Sequence, residues 1–128
     1  MDETIKKKVL IVDDEPAVRR LVREILSKYY VVLEAQNGEE AVNMAHSQKP
    51  DVILMDMMMP KMDGLTACHA IKTNQITRGI PVLMLTAIDQ ELNKKLSKDV
   101  FGADEYMTKP FSPEALLETI RQLLTKHE

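Results

Sequence analysis

The sequence predicts a doubly wound α/β domain built on a parallel sheet, and three observations carry that reading. Short apolar runs alternate with longer helical patterns along the whole chain. Three of the runs, Val9-Leu10-Ile11-Val12, Val52-Ile53-Leu54-Met55 and Val82-Leu83-Met84-Leu85, are continuous rather than alternating, the pattern of strands buried on both faces. Acidic or hydroxyl residues follow these runs directly, where such sheets place their chemistry.

The elements can be justified in order. The first strand, from Val9, leads into a helix with Pro16 in its opening turn and a stripe of Val18, Leu21, Val22, Ile25 and Leu26. A weaker second strand, Val31-Val32-Leu33, is followed by a helix that opens on Asn37 with Glu40 three residues later, in the manner of a capping box, before Ala41, Val42 and Ala45. After the third strand, Asp63-Gly64 starts a helix that turns Leu65, Cys68 and Ile71 inward. The fourth strand precedes a helix from Asp89, with Leu92, Leu96 and Val100 on a thin stripe. The fifth strand, Glu105-Tyr106-Met107, precedes a helix capped by Ser112, with Pro113 at its first position and Leu116, Leu117, Ile120, Leu123 and Leu124 facing inward. The order βαβαβαβαβα implies helices on both faces and right-handed crossovers.

Composition bounds the function. The 128 residues suit one domain, 1–128, with a core from about residue 8 to 124. A 45% apolar, 29% charged chain is ordinary globular material, and a net charge of −3 gives no reason to expect nucleic acid or an acidic membrane as partner. Lys6-Lys7-Lys8 and Lys94-Lys95 read as solvated faces. Cys68 stands alone, so no intrachain disulfide forms. No run approaches the roughly 20 apolar residues of a membrane span. The expected location is the cytoplasm.

The strand ends carry the chemistry. Asp13-Asp14-Glu15 follows the first strand, Asp56 ends the third, Thr86-Ala87 ends the fourth, and the fifth runs into Thr108-Lys109-Pro110. Singly, each has a plainer reading: helix caps for Asp13 and Asp14, a turn residue for Asp56, a structural Thr86, a solvated Lys109. Together, at strand ends that the topology makes adjacent, they gather carboxylates, a hydroxyl and an ammonium. Crowded carboxylates demand a cation, and Mg²⁺ takes hard oxygen ligands while leaving positions open. That set suits formation of an aspartyl phosphate.

The segments VLIVDD (Val9–Asp14), DVILMDMMMPKMDG (Asp51–Gly64), PVLMLTA (Pro81–Ala87) and GADEYMTKPF (Gly102–Phe111) resemble a response-regulator receiver domain of two-component signalling, similar to the chemotaxis-type single-domain regulators. The resemblance runs from about Lys8 to Leu124. It implies five parallel strands in the order 2-1-3-4-5, flavodoxin-like, and a Mg²⁺-dependent transfer of a phosphoryl group from a sensor histidine kinase to Asp56. Asp13 and Asp14 match the acidic pair at the metal, Asp14 as direct ligand, and Met58 the position whose backbone carbonyl coordinates it; Mn²⁺ is expected to substitute. Thr86 matches the switch hydroxyl, Lys109 the lysine on the phosphoryl group, and Tyr106 the aromatic that rotates. Pro110 stands where the family has a cis Lys–Pro bond, and Pro60 and Gly64 match the turn beyond Asp56. Phosphorylation is expected to remodel the face of the fourth helix, fifth strand and fifth helix for a downstream partner or a C-terminal output domain. On this reading the domain is a phosphoacceptor that catalyses only its own phosphorylation and dephosphorylation, not an enzyme acting on other substrates.

Variable positions add detail. Met58 and Ile88 flank the route of a hydrolytic water and are apolar, so self-dephosphorylation is expected to be slow. The Met57-Met58-Met59 run reads as ordinary for such a loop rather than as a copper or redox site. Ala115 and Thr119 stand where the winged-helix regulators have an acid and an arginine of a dimer-forming charge set, which argues against that dimer; a monomer or another phosphorylation-dependent dimer is expected. A flavodoxin-type site would need a hydroxyl- and glycine-rich loop in place of Asp13-Asp14-Glu15, and a haloacid-dehalogenase-type phosphatase a second Asp at Met58. His46, His69 and His127 have no metal-ligand spacing and read as surface or structural. The domain stands alone or precedes a DNA-binding, cyclase or kinase module.

Overall fold

A computed structural model describes residues 5–59, 61–87 and 101–127. Five strands, β1 (Lys8–Val12), β2 (Val31–Ala35), β3 (Val52–Asp56), β4 (Val82–Ala87) and β5 (Glu105–Lys109), pair in parallel in the order β2-β1-β3-β4-β5. The helices described are α1 (Pro16–Leu26), α2 (Gly38–Gln48), α3 (Gly64–Thr73) and α4 (Pro113–Lys126), the last being the fifth helix of the sequence pattern. The helix expected from Asp89, together with Pro60 and Ile88, lies outside the described residues.

The continuous apolar runs are the three central strands, and each feeds both layers. Leu10, Val12, Ile53, Met55, Val82 and Met84 point to one side, where they pack with Ala41 and Ala45 of α2 and Ala67, Cys68 and Ile71 of α3. Val9, Ile11, Val52, Leu54, Leu83 and Leu85 point to the other, against Val22 and Leu26 of α1 and Leu116, Ile120 and Leu123 of α4. Strand residues alternate in direction, so a run buried on both faces has to be apolar throughout. Each large side chain so buried contributes roughly 1.5–3 kcal/mol before the entropy of ordering is counted.

Local signals explain the helix starts. Asn37 accepts from the Glu40 amide at 2.8 Å, Asp63 from the Thr66 amide at 2.8 Å, and Ser112 from the Ala115 amide at 3.1 Å. The return arm of the expected capping box is displaced by one residue: Glu40 accepts from the Gln36 amide, not that of Asn37. Leu21, expected in the inward stripe of α1, is half exposed: α1 turns Val22 and Leu26 fully inward, with Val18 and Ile25 packed partly buried beside them. Strands β2 and β5 extend two residues beyond their apolar signal, and at β5 this puts Thr108 and Lys109 inside the strand.

Asp104, just before β5, ties the two layers across the sheet edge. Its carboxylate accepts from Lys72 Nζ of α3 at 2.9 Å and from the Val82 amide at 2.8 Å, and faces His127 at the end of α4 at 3.4 Å. No helix among the described residues is long and apolar enough to cross a membrane.

Candidate functional site

Strand β3 is central, so its carboxyl end faces the loops after β1, β4 and β5. This places Asp13, Asp14, Asp56, Thr86 and Lys109 at one edge of the sheet, from segments up to 96 residues apart. Asp13 is fully buried, Asp56 and Thr86 nearly so, and Asp14 is exposed.

Asp13 and Asp14 are not the caps of α1. The cap position belongs to Glu15, whose side chain makes no capping bond, while the Asp13 carboxylate accepts from the Glu15 amide at 2.9 Å. This bond folds the acidic loop back and holds Asp13 over the sheet. Across from it, Lys109 Nζ donates to Asp56 Oδ1 at 2.8 Å and to Asp13 Oδ2 at 3.3 Å. The Lys109–Pro110 bond is cis, as the resemblance implied.

Carboxylate oxygens of Asp13, Asp14 and Asp56 all lie within 4.8 Å of one another. Among the described residues, three carboxylates against one ammonium leave an excess of two negative charges. The donors are hard oxygens, the excess matches a divalent cation, and the exposed Asp14 leaves the cluster open to solvent; the residues present fit Mg²⁺. Burial pushes the Asp56 carboxyl above the ordinary carboxylate range, and the Lys109 hydrogen bond, opposed by the charges of Asp13 and Asp14, does not bring it back. Burial would lower the Lys109 ammonium, but the bond and charge of Asp56, with those of Asp13, outweigh it and hold it above its usual value.

The loop after β3 is shaped by close backbone contact. The Gly64 amide donates to the Met57 carbonyl at 2.9 Å, and a Cβ at Gly64 would lie 2.1 Å from the Asp56 carbonyl oxygen, so no side chain fits there. Lys61, in the same loop, has φ 64°. Met58 is 75% exposed, which keeps its thioether out of the cluster. Tyr106 is partly buried on β5 and packs against the layer formed with α2 and α3.

Two site residues escaped the sequence. Arg19 donates from Nη1 to the Asp13 carbonyl at 2.7 Å and from Nε to Glu34 at 3.0 Å, bracing the acidic loop from α1. Met57 receives the Thr86 hydroxyl at its Sδ, 3.7 Å away. Arg19 lies on the polar flank of the α1 stripe, and Met57 looks like core; neither spacing flags a role. Of the three histidines, His127 meets Asp104, and His69 packs edge-on to Phe101.

The family model described as response regulator receiver domain matches residues 9–121. The alkaline phosphatase synthesis transcriptional regulatory protein PhoP of Bacillus subtilis is 41% identical over 97% of the chain, which covers 51% of that protein. The transcriptional regulatory protein ResD of the same organism is 39% identical over 98% of the chain, again covering 51% of the relative. The chain thus spans about half the length of the curated relatives it matches. Among solved structures, the Vibrio cholerae chemotaxis protein CheY4 superposes with a TM-score of 0.86 at 36% identity, over 94% of this chain and 100% of that one. The receiver domain of the Pseudomonas aeruginosa sensor histidine kinase PA1611, described with a magnesium ion coordinated in its active site cleft, superposes with a TM-score of 0.86 at 27% identity, covering 94% and 99%.

Proposed function

The chain belongs to the response regulator receiver domain family, and from that premise we propose that it takes a phosphoryl group from the phosphohistidine of a sensor kinase onto Asp56 and transmits the event as a change of shape. One observation carries the reading: Asp56 is buried in a cluster of three carboxylates with Lys109 Nζ at 2.8 Å.

The residues divide the work. A carboxylate oxygen of Asp56 attacks phosphorus in line; the bond to the histidine nitrogen breaks as the new oxygen–phosphorus bond forms, and the imidazole leaves with a proton from solvent. Little covalent machinery is needed, since the reaction depends on positioning and on fixed opposite charge. Lys109, already on Asp56, is placed to follow the charge from the carboxylate to the transferred group. Asp13, Asp14 and Asp56, with the Met58 backbone carbonyl, would hold Mg²⁺, or Mn²⁺ in its place, whose charge when bound offsets that of the phosphoryl oxygens.

Thr86 then turns toward the phosphoryl group and Tyr106 moves inward, remodelling the face that includes β5 and α4. The phosphoryl group need favour that arrangement by only a few kcal/mol. The domain acts on itself alone, as substrate and catalyst of its own phosphorylation and hydrolysis. Because the chain spans half of regulators such as PhoP, its downstream partner is either an output domain in the same protein or a separate protein; with a net charge of −3 the receiver itself is not the nucleic-acid contact. We infer a cytoplasmic location, where both proposed partners act.

The test is intact mass spectrometry after incubation with acetyl phosphate, with and without Mg²⁺, beside Asp56→Asn. One added phosphoryl group requiring both Mg²⁺ and Asp56 is the expected result. Addition that persists in Asp56→Asn would overturn the assignment, and no addition to the folded wild type would make the chain a constitutive interaction module.

A further inference from the structure

The Thr86 hydroxyl donates to the thioether sulfur of Met57 at 3.7 Å, and both side chains are 2% exposed. A thioether is a weak acceptor, and a buried hydroxyl gains more from almost any oxygen. Met57 is well placed to be more than filler. Its amide donates to the Leu85 carbonyl at 3.0 Å, next to Thr86 on β4, and its carbonyl accepts from Gly64 at 2.9 Å. Its backbone follows Asp56 directly, and its side chain belongs to the same apolar cluster against which Tyr106 packs.

We propose that Met57 is the positioning residue that sets how readily Thr86 switches: its sulfur holds the hydroxyl in the resting orientation, weakly enough that an oxygen on Asp56 draws it away. The inference rests on Asp56 as phosphoacceptor and Thr86 as the switch hydroxyl, and adds what opposes the switch. A hydroxyl with no partner at rest would be costly to bury, and a strongly held one would resist release. Sulfur lies between. The side chain is also pliable enough to refill the space that the threonine vacates.

The experiment measures binding of beryllofluoride, a mimic of the aspartyl-phosphoryl group, in the presence of Mg²⁺, followed by the amide signals of Thr86 and Tyr106 in NMR spectra. The proteins compared are wild type, Met57→Leu, Thr86→Ala, the double variant and Met57→Gln, with Asp56→Asn as control. Leucine keeps the volume and removes the acceptor. Met57→Leu should bind beryllofluoride two- to five-fold more tightly than wild type, and the same substitution in Thr86→Ala should change binding by less than 1.5-fold, since no hydroxyl is left to hold. A merely structural role for Met57 would alter binding equally in both backgrounds, and that result would overturn the proposal, as would unchanged binding in Met57→Leu. Met57→Gln, which supplies a stronger acceptor, should shift binding the opposite way. Wild-type protein whose spectrum does not respond to beryllofluoride, or responds equally in Asp56→Asn, would instead remove the phosphoacceptor reading, and this proposal with it.

Discussion

Arg19 joins α1 to the acidic loop through the main chain of Asp13: its Nη1 lies 2.7 Å from the Asp13 carbonyl oxygen while its Nε holds Glu34 Oε1 at 3.0 Å. The guanidinium is nearly buried and its fork geometry is satisfied on both sides, so it fixes a backbone position rather than merely adding charge. Arg19→Met should leave the three carboxylates intact yet weaken Mg²⁺ binding about tenfold, the effect typical of losing a group that orients a metal ligand. Isothermal titration with Mg²⁺ measures it; equal affinity in the two proteins would show that the loop holds its shape without the brace.

Glu34 is clamped by Arg19 at 3.0 Å and Arg23 at 2.7 Å. The hydrogen bond from Arg23, with those charges, holds its carboxyl below the usual range despite some burial. A carboxyl lowered in the folded state stabilises the fold at pH above its unfolded value of about 4.3, and that contribution fades as pH falls through the lower folded value. Comparing wild type with Glu34→Gln by urea unfolding, the difference should be about 0.5–1 kcal/mol at pH 7, because the pair is partly open to water. It should shrink steadily below pH about 4. A difference that stayed constant into acid would assign the effect to packing.

Lys109 is the protein's own cation in the cluster, bonded to Asp56 and Asp13. Its removal takes away charge needed as the phosphoryl group arrives, so Lys109→Ala should slow labelling by acetyl phosphate about 100-fold, within the range seen for loss of one charge-stabilising donor. The phosphorylated fraction should also lack the altered Thr86 and Tyr106 signals of the wild type. Rapid labelling followed by a normal spectral change would exclude both roles.

Met58 is exposed at the mouth of the site and apolar. The Met58 thioether gives a water that attacks an aspartyl phosphate little to orient it, so self-dephosphorylation should be slow, lasting minutes or longer. Met58→Asn should shorten the lifetime several-fold by presenting an amide to that water, as followed by mass spectrometry after removal of the phosphodonor. An unchanged lifetime would mean that the water approaches by another path.

The sheet was legible because its signal is redundant: Val9–Val12, Val52–Met55 and Val82–Leu85 must be apolar at every position to feed two layers, and no helix of that length needs to be. Asp13, Asp56 and Lys109 could be grouped from sequence because topology alone brings strand ends together. The weaker elements were not so plain. At β2 the exposed Val31 and the clamped Glu34 blur the pattern, and at β5 five partly buried residues give no clean alternation. Arg19 and Met57 were hidden for a different reason. Their roles lie in what they touch, a carbonyl oxygen and a hydroxyl, and neither contact has a spacing to announce it.

The Lys109–Asp13 bond spans 96 residues, and this bears on the order in which the chain acquires its chemistry. Synthesis delivers the acids first and the ammonium last. A ribosome that has made β1 to β4 has put all three carboxylates within the chain, but the ammonium that bonds Asp13 and Asp56 is still to come. Closure of β5 against β4 is therefore also the electrostatic completion of the site, and a chain truncated before Lys109 would carry the acceptor without the cation that attends it. The last strand thus brings the site's ammonium to acids that the first and third strands already hold.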